Sequence, residues 1–162
     1  MNTSKYTKVL KSNAGLAALL LRVPVGIILA AHGSQKLFGW FGGYGLEGTG
    51  QWMASIGLEP GFLMALLAGR AEFFGGLALI LGLLTRPAAA VTAFTMLIAI
   101  FSAHISNGLF LTNNGYEYAL ALLAVTVSLT LQGAGSFAVD NLLYKKITGQ
   151  TRASNSYVAN LA

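Results

Sequence analysis

The sequence predicts an all-α integral membrane protein: an up-down bundle of four transmembrane helices with a short interfacial helix in the first outer loop. Three observations carry this. Charged residues are scarce, four long apolar stretches follow one another, and the basic residues between them alternate in density.

Of the 162 residues, 55% are hydrophobic and only 9% charged, and the mean hydropathy is +0.66. A water-soluble domain carries about 25% charged residues, so this chain cannot coat its own surface in water, and the lipid bilayer is its expected partner. The net charge of +5 is confined largely to the ends. Lys5, Lys8 and Lys11 precede the first apolar stretch, and Lys145, Lys146 and Arg152 follow the last. Such clusters suit anionic headgroups; they lack the basic face with interleaved readers that nucleic acid needs. With no cysteine, disulfides, thiol catalysis, thiolate-held zinc and cysteine-ligated iron–sulfur clusters are excluded within the chain.

The first apolar stretch covers residues 14–35 and is interrupted by Arg22. Lysines upstream and Ala30-Ala31 downstream resemble a cleaved leader, but the internal arginine favours a retained helix. The second stretch, 61–84, contains Arg70 and Glu72; the third, 88–105, ends beside His104; the fourth, 118–139, has no formal charge. Each approaches the roughly 20 residues needed to cross about 30 Å of hydrocarbon, and in lipid such segments must be helical to satisfy their own backbone. The expected division is a cytoplasmic tail at 1–13, a membrane domain at 14–143 and a second cytoplasmic tail at 144–162.

Seven basic residues fall on one side of this arrangement: Lys5, Lys8, Lys11, Arg86 in a Thr85-Arg86-Pro87 turn, Lys145, Lys146 and Arg152. The 33–60 and 106–116 loops hold only Lys36. The positive-inside rule then places both termini in the cytoplasm. The 33–60 loop is rich in glycine and aromatic residues. Thr49 is expected to cap a short helix there, whose Trp52, Met53 and Ile56 share a face in the membrane interface. Gly43-Tyr44-Gly45-Leu46-Glu47-Gly48 matches G-x-G-x-x-G, but no strand precedes it and no βαβ unit surrounds it, so nucleotide binding is not expected.

Ionisable groups inside a bilayer cost roughly 2.5–3.5 kcal/mol each on insertion scales, and persist when paired, wet or functional. Glu72 shares a helix face with Ala65, Ala68, Gly69, Gly75, Gly76 and Gly82; small residues allow close helix approach, so Glu72 is expected to point inward. Arg22 is its expected partner in a structural ion pair, with Lys36 and Arg70 as competitors. Arg70 lies about 200° around the helix from Glu72 and is expected near the outer interface or a different helix. His32 and Lys36 at the outer end of the first helix, Arg70 on the second, His104 on the third and Glu117 on the fourth are expected at similar depth. They form either a polar site or ordinary interfacial polarity. Two histidines on separate helices also raise a bis-histidine haem, for which no CxxCH motif exists, and a divalent metal on His32, His104, Glu72 or Glu117; neither a haem nor a metal is the expected reading.

Arg22-Val23-Pro24-Val25-Gly26 and His32-Gly33-Ser34-Gln35-Lys36-Leu37 resemble the first helix of the DoxX family. Gly69-Arg70-Ala71-Glu72-Phe73-Phe74-Gly75-Gly76 and Gly82-Leu83-Leu84-Thr85-Arg86-Pro87-Ala88 resemble its second helix and turn. His104, Glu117 and Gly133-Ala134-Gly135-Ser136 complete the pattern, which spans residues 16–143. The resemblance implies a four-helix bacterial inner-membrane protein. The family is named after a subunit linked to a thiosulfate:quinone oxidoreductase, members often carry an oxidoreductase label, and some associate with redox or oxidative-stress partner proteins.

The expected function is therefore a membrane or accessory subunit of a redox-linked system, with a quinone headgroup as the expected ligand of the outer polar cluster. His32 or His104 would bond a quinone carbonyl, Glu72 or Glu117 would relay protons, and Lys36 and Arg70 would stabilise negative charge. The alternatives are a non-catalytic scaffold or chaperone for membrane partners, and a small-solute or ion transporter, which the lack of an internal repeat disfavours.

Overall fold

The computed structural model describes residues 9–12 and 14–159, with the side chains of 150–159 excepted; Lys5, Lys8 and the Arg152 side chain lie outside this set. Among the described residues every regular element is helical. Helix α1 is Gly15–Phe38, α2 Gly45–Ser55, α3 Gly61–Leu81, α4 Thr85–Ala99, α5 Glu117–Gln132 and α6 Val139–Ala159. A π-helical turn, Ile100–His104, and a 3₁₀ turn, Ile105–Asn107, prolong α4.

Three of these are long and apolar enough to cross a membrane: Gly15–Phe38, Gly61–Leu81 and Thr85–Asn107. Helix α5 is apolar but has 16 residues, about 24 Å at 1.5 Å per residue. The expected fourth stretch to residue 139 is cut short because Gly133 breaks the helix at φ 83°.

Helices α1 and α3 pack through glycine. A Cβ on Gly26 would lie 2.7 Å from the Gly76 carbonyl oxygen, and one on Gly33 would lie 2.3 Å from the Phe73 nitrogen. The backbones therefore touch where larger residues would hold them apart. The pairs Gly26/Gly33 and Gly69/Gly76 recur every seven residues, two helical turns, and so lock one register between antiparallel helices. Helix α2 lies over the start of α3 by the same device: a Cβ on Gly61 would collide with the Gly50 carbonyl. Around these seams Ala18, Val25, Leu29, Leu79, Ala89, Met96, Leu122 and Leu129 form the buried core. Phe74, Phe94, Phe101 and Leu131 instead face outward and are largely exposed, an arrangement suited to lipid as the surrounding solvent.

One end of the bundle is held by charged side chains bonded to backbone. Arg22, 1% exposed, donates to the carbonyls of Leu79 (2.8 Å), Ile80 (2.5 Å), Ala134 (3.1 Å) and Phe137 (2.7 Å). Leu79 and Ile80 are in the last turn of α3, where carbonyls lack helical partners and a cation meets the negative end of the helix dipole. Arg22 is thus a helix cap, and the expected Arg22–Glu72 ion pair does not form. Arg86 repeats the device on α5, donating to the carbonyls of Thr130 and Leu131.

Asp140, also 1% exposed, accepts from the backbone nitrogens of Leu84 (2.7 Å) and Thr85 (2.9 Å). Leu84, at φ 47°, offers no capping side chain, so a carboxylate distant in sequence does the work of an N-cap. With that support Thr85-Arg86-Pro87, expected as a turn, becomes the first turn of α4, a place where proline is tolerated.

Candidate functional site

The Glu72 carboxylate is buried at the middle of α3. Its helix face, with Ala65, Gly69, Gly76 and Leu79, is buried as its small residues predict, and its partner is Lys36. The Lys36 ammonium lies 2.6 Å from Glu72 Oε2, with the two side chains 22% and 4% exposed. The glycine seam explains the pairing. A Cβ on Gly69 would lie 2.8 Å from the Leu37 side chain and 3.3 Å from Lys36 Cβ, so the bare glycine lets this part of α1 approach α3 closely. Lys36 then turns toward Glu72, one helical turn further along α3.

This ion pair forms part of the wall of a cavity of about 530 Å³ between α3 and α4, roofed by α2. Trp52, Met53 and Ile56 of α2 contribute apolar surface, and His104 lies on the same wall set. Leu67 on α3 and Val91, Phe94 and Ile98 on α4 also line it, and each is exposed on the outer surface. The cavity therefore opens sideways between two helices, toward the surface that lipid would cover. Volumes of about 300–1,000 Å³ with apolar walls and few polar groups characterise small-molecule sites.

His104 sits on the π-helical turn, a local widening that recurs at functional sites. Its Nδ1 is 2.9 Å from the Asn114 carbonyl oxygen. A carbonyl only accepts, so Nδ1 carries the proton and donates, which in the neutral ring leaves Nε2 as an acceptor.

The cavity thus unites Lys36, Glu72 and His104, and the wider cluster expected from the sequence divides. Arg70 is exposed on α3 and does not line the cavity. His32 lies beside Tyr118, with ring centroids 6.0 Å apart. Glu117 accepts from the Leu111 nitrogen at 2.6 Å, which makes it a brace for the loop before α5. Among the described residues no three His, Asp or Glu side chains gather as a metal site would require.

One further residue departs from its expected place. Thr49 does not cap a helix: α2 begins at Gly45, and Thr49 is buried inside it. It lines a groove of about 480 Å³ with Gln35, Lys36, Tyr44 and Trp52. Asp140 had no expected role; its only sequence signal is a lone acid directly after the last apolar stretch.

The fold and this cavity define a helical membrane protein with a polar pair set into a laterally open apolar site. The chain belongs to the DoxX family, whose model matches residues 17–105. It is similar to "Putative oxidoreductase CatD" of Bacillus subtilis (strain 168), 35% identical over 80% of this chain and 89% of the relative. It is also similar to "Inner membrane protein YqjF" of Escherichia coli (strain K12), 37% identical over 75% of this chain and 95% of the relative. A Haemophilus influenzae protein named "Uncharacterized protein" is 34% identical over 78% of this chain and 90% of the relative. No solved structure gives a significant match.

Proposed function

We propose that this protein is an inner-membrane subunit or accessory protein of a redox-linked system, and that its cavity takes a quinone. The observation that carries the reading is the Lys36–Glu72 pair, 2.6 Å apart, set in the wall of an otherwise apolar cavity that opens toward lipid. A quinone has the matching chemistry: an apolar tail that arrives through the bilayer and a flat head with two carbonyl acceptors. The Lys36 ammonium would donate to one carbonyl oxygen, the acceptor Nε2 of His104 would receive a hydrogen bond from the hydroxyl of the reduced head, and Trp52 and Phe94 give it apolar walls. Glu72, held by Lys36, is the group able to take up or release a proton beside the head. The bound quinone would supply the two-electron chemistry, and this chain's residues would orient the head and exclude water. The oxidoreductase and inner-membrane names of two relatives support the same direction.

The accompanying topology has four spans, α1, α3, α4 and α5, with α2 in the outer interface and both termini cytoplasmic. Seven basic residues against one support it. Helix α5 is about 6 Å short of the hydrocarbon thickness, a mismatch that local thinning accommodates.

The direct test is to purify the protein from native membranes and extract its bound lipids for mass spectrometry. Quinone should be present in near-stoichiometric amount and depleted in Glu72→Gln; quinone at the level of an unrelated membrane protein would refute the reading.

A further inference from the structure

We propose that the outward face of α3 centred on Arg70 docks a membrane-spanning helix of another protein, one that carries a carboxylate near the middle of the bilayer. Arg70 is exposed, and within the described chain it makes no hydrogen bond or ion pair. Leu63, Leu67, Phe74, Leu77 and Leu81 lie at helical spacings from it on the same stripe, and all are exposed. A charge at the centre of an apolar, outward-facing stripe is expensive in lipid, and intramembrane arginines almost always pair.

Three occupants could neutralise it, and depth decides against the first. Helix α3 has 21 residues, so it is about 31 Å long and just spans the hydrocarbon. Arg70 is nine residues below its first residue, about 13.5 Å down, and so about 2 Å from the midplane. An extended arginine reaches about 7 Å, leaving its guanidinium well inside a hydrocarbon half-thickness of about 15 Å. A lipid phosphate meets it only if the bilayer deforms.

A second copy of this chain also fails, because it has no suitable acid to offer. Of the five acidic residues, Glu72 is held by Lys36, Asp140 is buried against α4 and Glu117 is bonded to Leu111. Glu47 and Glu59 precede α3 in the outer segment, at the wrong depth. What remains is a different membrane protein, whose Asp or Glu would meet the guanidinium by two parallel hydrogen bonds. Of this stripe only Leu67 reaches the mouth of the cavity, and Arg70 does not line it, so the inference does not depend on the quinone reading.

The test uses the full-length protein in phosphatidylcholine vesicles with a fluorescent, leucine-rich, membrane-spanning synthetic peptide that has one Glu at its centre. The same peptide with Leu or Gln there is the control. Energy transfer should show the Glu peptide associating at least tenfold more tightly than either control, and the preference should vanish in Arg70→Leu. Because Arg70 is exposed and makes no hydrogen bond or ion pair among the described residues, Arg70→Leu should keep the thermal stability of the parent, which separates loss of docking from loss of fold. Equal association of the three peptides, or a Glu preference that survives Arg70→Leu, would overturn the proposal. So would loss of the preference when phosphatidylglycerol is added, which would make a lipid headgroup the occupant, or Arg70-dependent self-association of the protein.

Discussion

The Lys36 ammonium on α1 lies 2.6 Å from the Glu72 carboxylate on α3, while Arg22, fourteen residues earlier on α1, caps the far end of α3. At 1.5 Å per residue their Cα atoms are about 21 Å apart along α1. Lys36 holds the middle of α3 and Arg22 its C-terminal end, and the two do different work. One is bonded wholly to backbone; the other borders a cavity.

Energetic coupling should follow that division. Removing either member of a buried pair strands the other, at a cost of about 3–5 kcal/mol, and the partial exposure of Lys36 points to the lower end. Lys36→Met and Glu72→Gln should each lower the thermal stability in detergent, and the double variant should lose less than the sum. Arg22→Gln and Glu72→Gln should be additive within about 0.5 kcal/mol. Coupling of Glu72 to Arg22 instead of Lys36 would contradict the register of α1 on α3.

The caps make a second prediction. Arg22→Lys should not rescue Arg22→Gln, because a single ammonium cannot reproduce the planar fork that serves four carbonyls. Asp140→Ala should cost about 1–2 kcal/mol as the loss of an N-cap, with Asp140→Asn between it and the parent. Thermal denaturation of the four variants gives the ranking; an Asp140→Ala protein as stable as the parent would show that α4 caps itself.

Glycine sets the distance at which Lys36 can meet Glu72. Gly33→Ala would place a methyl carbon 2.3 Å from the Phe73 backbone nitrogen, so α1 and α3 must separate, at about 1–3 kcal/mol. The same change should weaken the Lys36–Glu72 coupling in a double-mutant cycle. Gly149→Ala, within α6 and with open space around the new Cβ, is the control and should hold stability or raise it slightly. Loss of stability in both variants would remove the seam from the explanation.

Much of this was legible in the sequence, for reasons that also mark the limit. The inward face of Glu72 follows from the alanines and glycines that share it, a property of one helix. The identity of its partner depends on how two helices slide past each other. Counting depth from the ends of apolar stretches put Arg22 beside Glu72, yet the true register is set by Gly26 and Gly33 against Gly69 and Gly76. Those seven-residue spacings were the available signal. His32, His104 and Glu117 lie toward the same end of their helices and Arg70 near the middle of α3, and depth says nothing of direction around a helix. Only His104 lines the cavity with Lys36 and Glu72. Asp140 was illegible because its role is to cap a helix more than fifty residues earlier.

The proposed topology separates two parts of the chain. Reporter fusions placed after Lys146 should register in the cytoplasm, and reporters inserted within residues 42–50 should register outside. Both on one side would exclude four spans with paired cytoplasmic termini.

The central claim is that the cavity beside Lys36 and Glu72 binds a quinone, and Trp52 in its wall reports on it directly. The chain has two tryptophans, so a Trp40→Phe background isolates Trp52. Titration of that protein in lipid nanodiscs with a short-tailed quinone should quench Trp52 fluorescence saturably. Glu72→Gln should shift the midpoint at least tenfold, a loss of about 1.4 kcal/mol. Quenching that rises linearly without saturation, or a midpoint unmoved by Glu72→Gln, would contradict the account.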